Sequence, residues 1–249
     1  SAQELASSCG AEASDNPDAL WQDSETNAVV IAVPNYLHLP LATAAIEVGK
    51  DVLLEKPMAL THKQCLELAR LVESHDQILQ VGFVHRYTEV AKVAKQLVLS
   101  NQLGDIYNAQ AMLYLRRGIP GLGHWFTDRE LSGGGVLIDV GVHLIDLAMH
   151  MMEFPKVDQI LGQTLANFGV RMADYHFEDM WAGPPNLAGT CDVEDAAQAL
   201  VRFENGAVLD LHVAWAGNYP KQLPTSLMSF VGTQGGISFE LFGDLVHHS

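Results

Sequence analysis

The sequence predicts a two-part fold: a truncated, doubly wound parallel sheet (α/β), followed by an α+β domain with an open antiparallel sheet. Between residues 28 and 83, apolar strand patterns alternate with helical patterns at the spacing of βαβ units. After residue 85, strand patterns follow one another across short turns such as Glu204-Asn205-Gly206, which is typical of antiparallel hairpins. We therefore expect one domain over residues 1–85 and a second over residues 86–249.

The first predicted domain contains a helix over residues 3–9, followed by three strands with two helices between them. Its first strand, Ala28–Val33, is a continuous apolar run, a pattern typical of strands that are buried on both faces of a parallel sheet. Thr61 and Gly49 mark a helix start and a helix end, because threonine caps amino termini and glycine follows carboxyl termini. The other strands are expected at 51–54 and 77–83, and the helices at 39–48 and 61–74.

The second predicted domain has a different order of helices and strands. Helices are expected near 89–100 and 135–152, on either side of a long strand at 105–116 and a loop rich in glycine and proline, Gly118–Gly123. Strand patterns without regular helices between them then follow at 156–166, 194–203, 207–216, 226–231 and 236–241.

Charge and composition exclude several classes of partner. Among 249 residues, 30 are acidic and 14 are basic, and the formal net charge is −16. Such a surface repels phosphate backbones and anionic lipid, so neither a nucleic acid nor a membrane is expected as a partner. No uninterrupted apolar run approaches the roughly 18 residues of a membrane span. The three cysteines form no CxxC pair, which fits a reducing compartment and predicts a cytoplasmic protein.

Polar residues follow each predicted strand of the first domain, at the sheet edge where open α/β folds bind ligands. Pro34-Asn35 follows the first strand, Glu55-Lys56-Pro57 the second and His85-Arg86 the third. Lys56 can donate to a substrate hydroxyl and stabilise a developing alkoxide, or it can be a solvated loop lysine paired with Glu55. The segment Pro34-Asn35 can line a cofactor groove or form a simple turn before a helix.

The helix predicted near 135–152 carries the most informative pattern. Asp139 and His143 are four residues apart and therefore share one helix face, and Asp146 lies three residues further along. A carboxylate beside an imidazole raises its basicity, which prepares a general base. Two alternatives remain open: a structural Asp–His hydrogen bond, and a metal site along the stripe that continues to His150.

The glycine fingerprint of dinucleotide-binding folds, G-x-G-x-x-G after the first strand, is not found. Gly121-Leu-Gly123 and Gly133-Gly-Gly135 come nearest, but neither has a third glycine in register and neither follows a strand directly. Ser132-Gly-Gly-Gly135 is therefore expected to be a flexible start of the following helix.

In their order along the chain, these motifs resemble the Gfo/Idh/MocA oxidoreductase family, over nearly the whole sequence. The residues that carry the resemblance are Val29–Asn35 with His38, Glu55-Lys56-Pro57, Gly82–Tyr87 and Gly133–Asp146. The resemblance implies an N-terminal Rossmann domain, here expected to lack its phosphate-binding βαβ unit. It also implies a C-terminal domain, expected to be incomplete, that binds substrate and often forms an oligomer interface through its antiparallel sheet.

The resemblance further implies a reaction. It is hydride transfer between NAD or NADP and a secondary alcohol or ketone of a small sugar or cyclic polyol, by a homo-oligomer. Separately, no metal is expected, because no second cluster of possible ligands accompanies the stripe that begins at Asp139. Lys56, Asp139 and His143 match the family's catalytic residues, and the peptide bond before Pro57 is expected to be cis. Some relatives have Trp-Arg where this chain has Trp125-Phe126, so that arginine contact to the cofactor is not expected here. The implied cofactor-binding residues are Val33, Pro34, Asn35, His38, Glu55 and Lys56, and the implied substrate-binding residues are His85, Arg86 and Trp125.

Two rival functions keep the same fold. One is an NAD-dependent glycosidase, which oxidises a sugar transiently to permit elimination. The other is a non-catalytic sensor that binds dinucleotide or sugar. The presence of Lys56, Asp139 and His143 together argues against the sensor, because binding alone requires no proton relay.

Overall fold

Two units make up the protein in a computed structural model that describes residues 2–176, 182–241 and 243–248. The first unit comprises Ser1–Val33 and Leu37–Val81, and the second comprises Pro34–Tyr36 and Gly82–Ser249. The division after Val81 falls four residues before the boundary expected from the sequence at residue 85.

The first unit is a three-stranded parallel sheet, as the sequence predicts, and its strand order is β1-β2-β3. Thr61 begins a helix as expected, because its hydroxyl accepts a hydrogen bond from the N–H of Gln64 at 3.2 Å. Gly49 follows a helix with a φ of +81°, a backbone conformation that favours glycine. The elements are α1 (Ala2–Cys9), α2 (Asp18–Gln22), β1 (Ala28–Ile31), α3 (His38–Glu47), β2 (Asp51–Leu54), α4 (His62–Glu73) and β3 (Leu79–Val81).

The two faces of this sheet differ. The expectation that β1 is buried on both faces is wrong for the described residues, since Val30 is 71% exposed. Leu53 on β2 is also exposed. The reason is that α3 and α4 both pack on the opposite face, so only alternate strand residues enter the core. That core consists of Val29, Ile31, Ala42, Ala45, Ile46, Val52, Leu54 and Leu68.

The second unit contains a seven-stranded sheet in the order β10-β9-β8-β4-β7-β6-β5. Five of its six neighbouring strand pairs are antiparallel, as expected, but β4 and β7 run parallel, with Asn108 opposite Val208. The last strand was not predicted. The elements are α5 (Glu89–Leu99), β4 (Ile106–Tyr114), α6 (Arg129–Ser132), α7 (Val142–Met151), β5 (Val157–Leu165), β6 (Ala196–Phe203), β7 (Val208–Ala214), β8 (Ser226–Gly232), β9 (Gly236–Phe239) and β10 (Leu245–His248).

Helices α5 and α7 cover one face of this sheet. Inward residues of β7 alternate with outward ones, so Leu209, Leu211 and Val213 are buried while Asp210 and His212 lie on the other face. The buried residues of α5 and α7 in this core are Ala91, Ala94, Leu144, Leu147, Ala148 and Met151.

The glycine-rich segment before α7 makes a close backbone contact with Glu194. The carbonyl of Glu194 accepts a hydrogen bond from the N–H of Val136 at 3.1 Å, and the Glu194 carboxylate accepts one from the N–H of Leu137 at 3.1 Å. A Cβ atom on Gly135 would lie 1.9 Å from the Glu194 carbonyl oxygen. Gly135 is thus required for this approach, and the expected flexible helix start is instead a fixed contact.

The helix that follows is not uniformly α-helical, in contrast to the expectation for 135–152. Leu137–Gly141 forms a π-helix, and regular α-helix begins at Val142. A Cβ on Gly141 would lie 2.8 Å from a side-chain carbon of Leu137 and 3.6 Å from one of Val213. The wide turn therefore packs on β7 and contains Asp139. Such turns occur frequently at functional sites.

One helical stretch, Arg129–Met151, has the length and average hydropathy of a membrane-spanning helix. It includes α7, whose residues Leu144, Leu147 and Met151 are buried against the sheet. Because buried core helices have the same composition, this stretch alone is weak evidence for a membrane.

We predict that Gly135→Ala destabilises the protein by about 3 kcal/mol, because an added methyl group forces the helix start away from Glu194. Gly236→Ala is the matched control, since its added Cβ would meet its nearest heavy atom at 3.3 Å. It should change the free energy of unfolding by less than about 1 kcal/mol. Urea denaturation of both variants measures the difference, and equal losses would contradict the proposed contact.

Candidate functional site

In the first unit, His38 fixes the segments that follow β1 and β2. Its imidazole is fully buried, with Nδ1 2.6 Å from the carbonyl oxygen of Pro57 and Nε2 2.9 Å from that of Val33. The Lys56–Pro57 peptide bond is cis, as the family resemblance implies. Lys56 is half-buried, and its backbone N–H donates to the Glu55 carboxylate at 3.3 Å. One imidazole thus links the two loops at the carboxyl edge of the parallel strands.

In the second unit, Asp139 is held by a residue that no sequence motif indicates. The indole N–H of Trp215 donates to Asp139 Oδ2 at 3.0 Å. Trp215 is only 1% exposed and directly follows β7. The sequence signal for it is weak, because an aromatic residue at the end of an apolar strand is ordinary core material. Its N–H is informative only once its acceptor is known.

His143 lies in the first turn of α7, among aromatic rings. Its ring centroid is 4.7 Å from that of His85 at an interplanar angle of 77°, and 6.4 Å from that of Phe83 at 85°. Both are edge-to-face arrangements. The structure therefore places His85, a weak candidate from sequence alone, against the imidazole that is the strongest candidate for a general base.

An ion pair fixes the segment that carries His85. Arg86 donates from Nε to Asp146 Oδ2 at 2.6 Å, and its Nη2 also pairs with Oδ1 of this carboxylate. These hydrogen bonds raise the pKa of Arg86 above its ordinary value. The guanidinium carbon also lies 5.7 Å and 5.3 Å from the ring centroids of Phe83 and Phe154. Arg86 thereby ties the segment Val84–Tyr87 to α7.

Two further predicted residues lie in the second unit. The side-chain amide of Asn35, which is buried, donates to the carbonyl of Ser132 at 2.8 Å. Trp125 is half-buried and stacks on Phe126, with ring centroids 3.9 Å apart. Asn35 is therefore held beside the glycine-rich segment, and Trp125 presents part of a stacked aromatic pair to solvent.

The carboxylates of the proposed metal stripe have other partners. Asp146 pairs with Arg86, and Asp139 accepts from Trp215. Within residues 2–176, 182–241 and 243–248, no group of three or more His, Cys, Asp or Glu side chains could hold a metal ion. His150 is the last residue of this stripe. Burial lowers the pKa of its imidazole, and the positive charge of Lys95 acts in the same direction.

The candidate residues thus fall into two sets. The first set lies in the first unit, where His38 organises the loops, and comprises Val33, His38, Glu55 and Lys56. The other set belongs to the second unit and comprises Pro34, Asn35, His85, Arg86, Trp125, Asp139 and His143. The second set has the parts of an acid–base site, namely an ordered carboxylate and an imidazole on one helix, with a second imidazole against the first.

The chain is similar to several known proteins, two of which are named as dehydrogenases. The chain is 32% identical to D-glucoside 3-dehydrogenase of Escherichia coli over 236 residues, 94% of this chain and 65% of that protein. It superposes on levoglucosan dehydrogenase in complex with NADH and levoglucosan with a TM-score of 0.81 and 25% identity. It superposes on GenD2 from gentamicin A biosynthesis in complex with NAD with a TM-score of 0.77 and 26% identity.

Each superposition covers 96% of this chain but 61% of the other, so the chain spans less than two thirds of these relatives.

Two family models cover most of the sequence. The one described as "Oxidoreductase family, NAD-binding Rossmann fold" matches residues 1–83, and "GFO/IDH/MocA C-terminal domain" matches residues 91–238. The resemblance found in the sequence is confirmed, and the chain belongs to the Gfo/Idh/MocA family of oxidoreductases.

Proposed function

We propose that this chain belongs to an enzyme that transfers hydride between NAD or NADP and a secondary alcohol or ketone of a sugar or cyclic polyol. The observation that carries the proposal is the imidazole of His143 on the helix that also holds the ordered carboxylate of Asp139. Relatives named for glucoside and levoglucosan oxidation support the substrate class. The cytoplasm is the proposed location, since three free cysteines suit a reducing compartment.

The cofactor is proposed to bind at the carboxyl edge of the parallel strands. The residues assigned to it are Val33, Pro34, Asn35, His38, Glu55 and Lys56. The contacts of His38 fit this assignment, because a rigid pair of loops at this edge suits a dinucleotide. Since both ring nitrogens of His38 face backbone carbonyls, its contribution is to shape the loops. Both solved relatives described above hold NAD or NADH, which supports NAD.

In the proposed oxidation, His143 accepts the proton of the substrate hydroxyl while Asp139 orients its ring. The ammonium group of Lys56 donates to the same oxygen and stabilises the negative charge that develops there. A bound nicotinamide supplies the acceptor for the hydride that leaves the carbon, so that an alcohol becomes a ketone. In the reverse direction, the protonated His143 returns the proton to the oxygen.

The sugar is proposed to contact His85, Arg86 and Trp125. His85 lies against His143, and a half-buried aromatic such as Trp125 can pack on a sugar ring. The ion pair with Asp146 uses Nε and Nη2 of Arg86, so a substrate contact by Arg86 would involve the remaining part of its guanidinium group.

Loss of the acid–base groups should lower turnover strongly. We predict that Lys56→Ala and His143→Ala each reduce kcat by on the order of 10²–10⁴-fold in the full-length protein. The assay is the appearance of reduced nicotinamide during oxidation of inositols, aldoses and glucosides. Lys63→Ala and His62→Ala, at exposed positions of α4, are the matched controls and should retain full activity. A decrease below about threefold for both test variants would remove these roles.

A second comparison separates a substrate contact of Arg86 from its ion pair. Arg86→Met and Asp146→Asn both break the pair, at a cost of about 2 kcal/mol, because one partner is partly exposed. Only the first removes the guanidinium group. We expect the KM for the sugar to rise about tenfold more in Arg86→Met, as lost hydrogen bonds to a charged group would cause. Equal KM values would assign Arg86 to structure alone.

The outer face of the sheet is proposed to join two copies of the chain. Leu161 on β5 and Leu200 on β6 are opposite each other and are 76% and 49% exposed. Apolar side chains clustered on an open sheet face are typical of subunit interfaces.

We predict that Leu161→Glu with Leu200→Glu converts the oligomer to monomers in sedimentation velocity, because buried charges destabilise an apolar interface. Leu66→Glu, at an exposed position of α4, is the control and should leave the sedimentation coefficient unchanged. A monomeric wild type, or an unchanged double variant, would refute this interface.

A further inference from the structure

Trp215 occupies one of the most firmly held positions in the second unit. Its backbone N–H donates to the carbonyl of Asp195 at 2.8 Å, and its own carbonyl accepts from the N–H of Gly118 at 2.8 Å. Asp195 is itself 2% exposed, and its Oδ2 accepts from the three N–H groups of residues 167–169 at 2.6–2.9 Å. The indole therefore extends from a backbone that is fixed on both sides.

The indole N–H of Trp215 is paired with a side chain rather than with the backbone. An indole N–H can only donate, and a buried one needs an acceptor. A backbone carbonyl would satisfy it, but here the acceptor is the carboxylate of Asp139 at 3.0 Å. Hydrogen bonds to an ionised acceptor are roughly twice as strong as neutral ones.

Asp139 needs such a constraint because its rotamer alone does not fix its carboxylate. The terminal torsion of aspartate is broad, so the plane of the carboxylate is free to turn even when the backbone is held. The backbone is held here, since the N–H of Asp139 donates to the carbonyl of Gly135 at 3.0 Å. A donor that fixes Oδ2 also fixes the direction of Oδ1.

We infer that Trp215 is a positioning residue for the proposed reaction: its indole N–H sets the plane of the Asp139 carboxylate that orients the general base His143. This inference rests on the proposed function. It assigns to Trp215 an effect on turnover and none on the affinity for sugar or dinucleotide, because the residue acts only through Asp139.

The test is Trp215→Phe, which keeps an aromatic ring and removes the N–H. In the full-length protein, kcat should fall about 10–50-fold, the effect of misorienting one catalytic group. The KM for the sugar and the Kd for NAD should stay within about twofold of wild type if binding is untouched. Phe203→Leu, a change of another fully buried aromatic, is the control for loss of packing and should retain kcat.

A double-mutant cycle identifies the route of the effect. In an Asp139→Asn background, Trp215→Phe should change kcat by less than about twofold, because the target of the indole has already been altered. Independent, multiplying losses would overturn the inference, since a merely structural tryptophan would lower activity in either background. A Trp215→Phe enzyme with wild-type kcat would overturn it as well.

The hydrogen bond can also be observed without turnover. In ¹⁵N-labelled protein, the indole N–H resonance assigned through Trp215→Phe should move on Asp139→Asn, whereas Phe203→Leu should leave it in place. If the wild type oxidises none of the sugars, the proposed function fails, and this resonance still decides whether Trp215 holds Asp139. An indole resonance that does not move on Asp139→Asn would refute the contact on which the inference rests.

Discussion

The close approach of Gly135 to the carbonyl of Glu194 is the constraint on which the second unit depends. It fixes where the core helix begins, and the π-helical turn with Asp139 and the α-helix with His143 follow from that start. The next residue, Asp195, accepts the backbone N–H of Trp215. Two consecutive residues just before β6 therefore hold both partners of the hydrogen bond between Trp215 and Asp139.

The buried acids explain how an acidic chain keeps an ordered interior. Asp146, Glu194 and Asp195 are each at most 9% exposed, and a buried carboxylate without partners is costly. Each has donors: the guanidinium of Arg86 for Asp146, and backbone N–H groups for the other two. The other acidic residues within 2–176, 182–241 and 243–248 are less buried than these three. The net charge of the sequence therefore says little about the few buried carboxylates that lie near the site.

The sequence predicted whatever depends on local patterns. Strand and helix positions follow from apolar periodicity, and Asp139 and His143 are candidates because they lie four residues apart in a helical pattern. The parallel pairing of β4 with β7, the exposed face of β1 and the contact with Trp215 were missed, because they depend on distant partners. Trp215 is 76 positions from Asp139 in the sequence. The π-helical turn arises from packing on β7, and the helical periodicity of the sequence does not indicate it.

The contacts around His143 bear on whether the site is built for turnover or for binding alone. A sensor can recognise sugar hydroxyls with neutral donors and acceptors, and it gains nothing from a buried tryptophan that fixes one carboxylate. Proton abstraction from an alcohol, by contrast, needs an imidazole whose orientation a carboxylate maintains. A tryptophan N–H directed at Asp139 and an ion pair that holds His85 against His143 both serve orientation. That emphasis on orientation supports catalysis over recognition, because misalignment lowers a rate far more than it weakens binding.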